Sequence, residues 1–258
     1  MQVARVGDTA EVRVQLCGRF AFLVAGNAVH AALPGRRARL LLAHLTAHRD
    51  RPTGRAQLLD ALWPDGGAHR AATFNVVLSK VRALIAPAEI SGRGTLQLHL
   101  PAEAIVDVER AVEAVHQAES ALAQREWRRA WGPAVTAQVV AGRGFLPEYD
   151  EAWVEPWRAQ LDVVYQRALA CYAEACLHIG GPELPGAERS ARRLITRAPL
   201  SEIGYRLLMQ ALAERGDTAA ALGVYDQLRR TVRDELGVDP GPDARRLHQR
   251  LLQAAAET

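Results

Sequence analysis

From Arg70 to Ile85 the chain reads RAATFNVVLSKVRALI, and two kinds of side chain are interleaved there. Phe74, Val77, Leu78, Val81, Leu84 and Ile85 recur at i, i+3, i+4 and i+7, the spacing of one buried helix face. Arg70, Thr73, Asn75, Val76, Ser79, Lys80 and Arg82 fall largely on the remaining surface, with Asn75 and Arg82 near its edge. No carboxylate occurs between Asp65 and Glu89. Basic solvated helix faces are common, but a helix that only fills a core needs no such bias. Cations bind phosphates, and short hydroxyl, amide or methyl-bearing side chains read base edges in a major groove. The chemistry implied is non-covalent recognition of double-stranded DNA. Arg70 and Lys80 suit phosphates, and Thr73 and Val76 suit base edges or thymine methyls.

Other chemistries find less support. His44 and His48 have the i, i+4 spacing of metal ligands, but no Glu follows His44 and Asp50 lies past the helix end, so solvated or half-buried histidines are expected. Gly92-Arg93-Gly94 and Gly142-Arg143-Gly144 lack the strand-to-helix setting of a phosphate loop. None of the five serines stands in a GxSxG context. Cys17, Cys171 and Cys176 form no disulfide pattern and read as buried thiols of a reducing cytoplasm. Neither an enzyme nor a cofactor or metal site is expected.

The elements that position the basic helix can be traced from local pattern. Val12, Val14 and Leu16 alternate with polar residues as a half-buried strand; Phe20 to Val24 reads as a second strand, and Ala28 to Ala32 as a third. Arg36 to His48 is helical, with Ala38, Leu41, Leu42 and Leu45 on one face. Thr53 reads as the N-cap of a helix burying Leu58, Leu59, Leu62 and Trp63, which Pro64 stops. After the basic helix, Ser91-Gly92-Arg93-Gly94 turns into the alternating strand Thr95 to Leu100. Strands, three helices and a terminal hairpin in this order make a winged helix with an added N-terminal sheet.

Beyond Pro101 the chain becomes alanine-rich and helical. Asp107 is placed to cap a helix reaching about Gln124, and Asp150 to cap another from Glu151 to Ile179, with Pro156 tolerated in its first turn. Further helices cover roughly 187–197, 202–215, 218–236 and 243–255. Tyr205 to Arg230 has the form of one tetratricopeptide helix pair, and Arg167 to Arg197 repeats it. Residues 1–105 hold 13 Lys/Arg against 7 Asp/Glu, and residues 106–258 hold 19 against 22. A basic module followed by a mildly acidic one fits a nucleic-acid part and a protein-contacting part. The expected fold class is mainly α: an N-terminal winged helix-turn-helix with small β-sheets at 1–105, then an all-α tetratricopeptide-like domain at 106–258. No apolar run approaches the length of a membrane span, and the N-terminus lacks a signal-peptide core, so a cytoplasmic protein without membrane contact is expected.

These residues also carry a family resemblance. ALWPD at 61–65 with FNVVLSKVRALI at 74–85 resembles the OmpR-type winged helix of the Streptomyces antibiotic regulatory proteins. GFLPEYDEAWVEPWR at 144–158, PLSEIGYRLLMQAL at 199–212 and VYDQLRRTVRDELGVDPGPDARRLHQRLL at 224–252 resemble the bacterial transcriptional activator domain that follows it. The resemblance implies a transcriptional activator whose third winged-domain helix enters the major groove of promoter direct repeats. It further implies protomers paired on DNA as a homodimer, and contact with RNA polymerase holoenzyme, including sigma. Many relatives place a Gly-Tyr-Arg-Leu-like segment at the wing, where this chain has Gly94-Thr95-Leu96-Gln97, so Arg93 is its wing cation for the DNA-binding set. A different class of reading is a tetratricopeptide-type interaction scaffold, or an effector-sensing regulator without direct activation.

Overall fold

The structure, a computed structural model, describes residues 11–256. They form two compact units. One comprises the described residues up to Arg110 together with Arg143–Leu161, and the other comprises Ala111–Gly142 and the described residues from Asp162 onward.

The first unit opens with strands β1 (Val12–Gln15), β2 (Ala21–Val24) and β3 (Asn27–Ala28). Val12 and Val14 point inward and pair with Val24 and Phe22, so alternation sets the register. Ala25 and Gly26 both have positive φ, the backbone of a two-residue hairpin turn that matches strand twist. The third strand is shorter than its pattern predicts. After Ala28 the chain coils into a helical turn, α1 (Val29–Ala32), and His30 Nδ1 lies 3.3 Å from the Phe22 backbone, which ties the turn back to β2.

Helix α2 (Gly35–Ala47) is the centre of this unit. Sequence spacing predicts one apolar face, yet every residue from Leu40 to Ala47 is buried. A helix enclosed on all sides carries no polar stripe to reveal its orientation. Next come β4 (Thr53–Gly54) and α3 (Arg55–Leu62). Thr53 is not a cap. It is buried in β4 and pairs with Leu96, and Gly54 precedes the helix with no side-chain cap. Helix α4 (Arg70–Leu84) is followed by the hairpin β5 (Glu89–Ser91) and β6 (Thr95–His99), and the second sheet has the order β4-β6-β5.

Strand β7 (Ile105–Val106) then lies parallel to β1, completing the order β3-β2-β1-β7. Asp107, the first residue of α5 (Asp107–Ala123), accepts the Leu16 and Cys17 amides at 2.7 and 3.0 Å. Its carboxylate closes the open end of β1. Residues 143–161 return to the same strand end: the Gly18 amide donates to the Gly144 carbonyl at 2.7 Å and the Leu146 amide to the Leu16 carbonyl at 2.9 Å. Arg158 holds this return in shape by donating to the carbonyls of Phe145, Leu146 and Tyr149.

The second unit is all helical among the described residues. Between α5 and α7 (Val154–Ile179) lies α6 (Trp127–Ala141), which the sequence pattern does not single out. Its buried side is all alanine, Ala130, Ala134, Ala137 and Ala141, too small to stand out by hydrophobicity. Pro156 sits in the first turn of α7, where its missing N–H costs nothing. Helices α8 (Leu184–Arg197), α9 (Glu202–Glu214), α10 (Thr218–Leu236) and α11 (Pro242–Ala256) follow as antiparallel neighbours around Tyr205, Leu208, Met209, Leu212, Val224 and Leu228. The α9–α10 turn is specified locally: the Asp217 carboxylate accepts the Ala220 amide at 3.0 Å, and Gly216 has a φ of +83°. Among the described residues no helix is long and apolar enough to cross a membrane.

Candidate nucleic-acid interface

Helix α4 divides as its spacing predicts. Phe74, Val77, Leu78 and Val81 are buried, while Thr73, Asn75, Val76, Ser79, Lys80 and Arg82 are exposed. Leu84 is only partly buried, being the last helical residue. Trp63 of the ALWPD motif packs edge-on against Phe74, with ring centroids 6.3 Å apart, and Arg37 lies 4.6 Å above its ring. The motif therefore seats α3 against α4 and leaves the polar face of α4 exposed.

On that face the residues have distinct positions. Arg70, at the helix start, pairs with Asp60 at 2.9 Å. Thr73 donates its hydroxyl proton to the His69 carbonyl at 3.1 Å. The Asn75 side-chain carbonyl accepts Arg55 Nη2, so its amide N–H groups remain as donors. Val76 is 55% exposed although apolar. Ser79 and Lys80 are exposed without a side-chain partner among the described residues. Arg82 donates from Nε to the Ile90 carbonyl at 2.9 Å and from Nη2 to the Gly92 carbonyl at 2.7 Å. It thus clips the hairpin to the helix, with Nη1 left over.

The hairpin turn is fixed as well. Gly92 has a φ of +90°, and a Cβ there would stand 2.0 Å from the Thr95 carbonyl oxygen, so no other residue fits. Arg93 follows at the exposed tip. Between hairpin and helix runs a cleft lined by Arg55, Asn75, Ser79, Arg82, Gly92 and Arg93. Arg55 was not identifiable from α4 or the wing. Its guanidinium lies 4.6 Å over the Phe74 ring, and its amide donates to the Gly94 carbonyl at 3.0 Å. The available signal was an arginine opening a helix, against the dipole. The cleft thus gathers three guanidinium groups beside a polar helix face, an arrangement suited to backbone phosphates flanking read bases.

The histidine pair lies elsewhere and corrects an expectation. His44 is 1% exposed, stacks on His48 at 4.3 Å and meets Trp153 edge-on at 4.8 Å. Burial lowers its pKa to about 3, with the His48 charge contributing next, so His44 is a neutral core ring rather than a solvated one. No group of metal-ligating side chains occurs among the described residues. The three cysteines are buried and free, and burial raises the pKa of each thiol.

A winged-helix unit joined to stacked helix pairs is the architecture of a class of bacterial transcriptional regulators. The bacterial transcriptional activator domain model matches residues 106–252, and the chain belongs to that family. The resemblance to Streptomyces antibiotic regulatory proteins is borne out by the relatives, and the family is one of transcriptional regulators, not enzymes. The chain is 32% identical over 246 residues to regulatory protein AfsR of Streptomyces coelicolor, covering 89% of this chain and 23% of AfsR. It is 29% identical over 270 residues to the transcriptional regulatory protein EmbR of Mycobacterium tuberculosis, covering 95% of this chain and 65% of EmbR. The solved structure of Mycobacterium tuberculosis EmbR in complex with a low-affinity phosphopeptide shares the fold, with a TM-score of 0.80 at 24% identity over 95% of this chain and 66% of that one. The chain therefore spans about a quarter of AfsR and just under two thirds of EmbR.

Proposed function

We propose that this chain is a cytoplasmic, sequence-specific transcriptional activator that inserts α4 into the major groove of promoter direct repeats. The observation that carries this reading is the polar face of α4, whose own residues include no carboxylate, running into the cleft of Arg55, Arg82 and Arg93. Lys80 binds phosphates, Arg70 does so in exchange for its pairing with Asp60, Thr73, Asn75, Val76 and Ser79 face base edges, and Arg93 approaches the neighbouring minor groove. Arg82 acts chiefly by holding the wing, because two of its N–H groups are already engaged there. Two protomers occupy two repeats as a homodimer on DNA. Occupancy alone does not recruit polymerase, so activation needs a second contact, and the stacked helix pairs offer an extended surface for the holoenzyme and its sigma subunit.

Binding of the full chain to duplex DNA across a salt series tests the reading. Lys80→Ala weakens all sequences about equally and reduces the slope of log affinity against log salt by about one. Unchanged affinity and slope would remove Lys80 from the interface. Failure of the full chain to bind any duplex at low salt would favour the interaction-scaffold reading instead.

A further inference from the structure

The winged unit holds a second basic concavity. Between Glu11 and Asp50 the chain has no carboxylate, but it has Arg13, Arg19, Arg36, Arg37, Arg39 and Arg49. Four of these are engaged: Arg13 with Glu11, Arg36 with Glu151 at 2.9 Å, Arg37 over Trp63, and Arg49 with Glu109. Arg19 and Arg39 have no ion-pair partner among the described residues, and both line one cavity of about 650 Å³ beside Arg36, His30, Phe20 and Tyr149. Arg36 and Arg39 also sit in the first turns of α2, where the helix dipole already disfavours positive charge and the helix itself carries no acidic residue in its first turn. The one carboxylate in the wall, Glu148, accepts the Phe20 amide at 3.3 Å.

Two uncommitted guanidinium groups at one cavity match a dianion. The concavity is open to solvent on one side and wide enough to admit an organic group beside the anion. We infer that this cavity binds a small organic phosphate monoester, its phosphate held by Arg19 and Arg39 and its organic part resting beside the partly exposed Ala21 and His30. Arg37, the sequence neighbour of Arg36, stacks on Trp63 just past the end of α3, whereas Arg55 at the start of α3 lines the wing cleft, so the length of that helix, roughly 12 Å, separates these two arginines. The site goes beyond the DNA-binding reading and does not depend on it.

Calorimetric titration of the full chain with adenosine monophosphate, glucose 6-phosphate and ribose 5-phosphate, with sulfate and citrate as controls, tests the inference. At least one monoester should bind with a Kd below about 1 mM at physiological ionic strength, at least about tenfold tighter than either control. Arg19→Gln and Arg39→Gln should each weaken it by about tenfold or more, and Glu148→Gln, which keeps an acceptor for Phe20, should tighten it. Lys80→Ala should leave it unchanged. Arg19 is exposed, so its replacement should not move the unliganded melting temperature. No heat with any monoester, an equal response to sulfate or citrate, or unchanged affinity in both arginine variants would each overturn the assignment.

Discussion

At the scale of single residues, the interface separates groups that touch DNA from groups that hold others in place. Lys80 and Val76 are exposed and have no structural duty, so their replacement should spare the fold. Val76→Asn exchanges a methyl surface for an amide and should change the preferred base at one position while leaving the salt slope as it is. Binding to a randomised-position DNA library measures this, and an unchanged preference would take Val76 off the base edges. Arg82 behaves differently. Arg82→Ala frees the Ile90 and Gly92 carbonyls from the helix, so both the wing and its Arg93 lose their fixed position. The expected result is weaker DNA binding together with a loss of about 1–2 kcal/mol in denaturant unfolding, a cost Lys80→Ala does not share. Equal stability of the two variants would show that the clip is not structural.

At the scale of elements, legibility followed contrast. The two faces of α4 were readable because apolar and basic residues alternate at helical spacing, and the wing was readable because Ser91-Gly92-Arg93-Gly94 leaves few other conformations. Helix α2 was harder to read: burial on all sides erases the periodicity that would orient it, and its histidines looked polar. Thr53 reads as a cap because a small hydroxyl residue before a helix serves equally well as a strand residue, and pairing with Leu96 decides between the two. The return of 143–161 to β1 rests on backbone pairing distant in sequence, which no local pattern encodes. Helix α2 also makes a pH prediction. His44 is neutral in the fold with a pKa of about 3 and ordinary in the unfolded chain, so the unfolded state binds more protons between those values. Stability should therefore fall as pH drops below about 6.5, by up to about 1.4 kcal/mol per pH unit from this group. His44→Phe keeps the ring packing and should flatten that slope in urea unfolding between pH 4 and 7, and an unchanged slope would exclude His44 as its source.

At the scale of the whole molecule, the division of labour between units has consequences for experiment. A fragment ending at residue 105 would lose Val106 from β7, the Asp107 acceptor and the 143–161 return, so its behaviour would report damage to the winged unit as well as absence of the helices. The activation claim is better tested in the full chain. Charge-reversing substitutions at exposed arginines across α8–α11 should include some that leave DNA occupancy intact yet lower transcription by purified polymerase holoenzyme. If every such variant activates normally at matched occupancy, the helical unit does not provide the polymerase contact and a sensing role gains support.

Whether the exposed face of α4 reads DNA sequence is decided by fragment selection. The full chain is incubated with random duplex DNA, and bound fragments are recovered and sequenced over several rounds. An enriched direct repeat is expected, with half-sites about one helical turn, or a multiple of it, apart. That enrichment should shift with Val76→Asn and weaken without shifting in Lys80→Ala. Recovery of fragments without any common sequence, or a motif indifferent to Val76 and Lys80 alike, would contradict it.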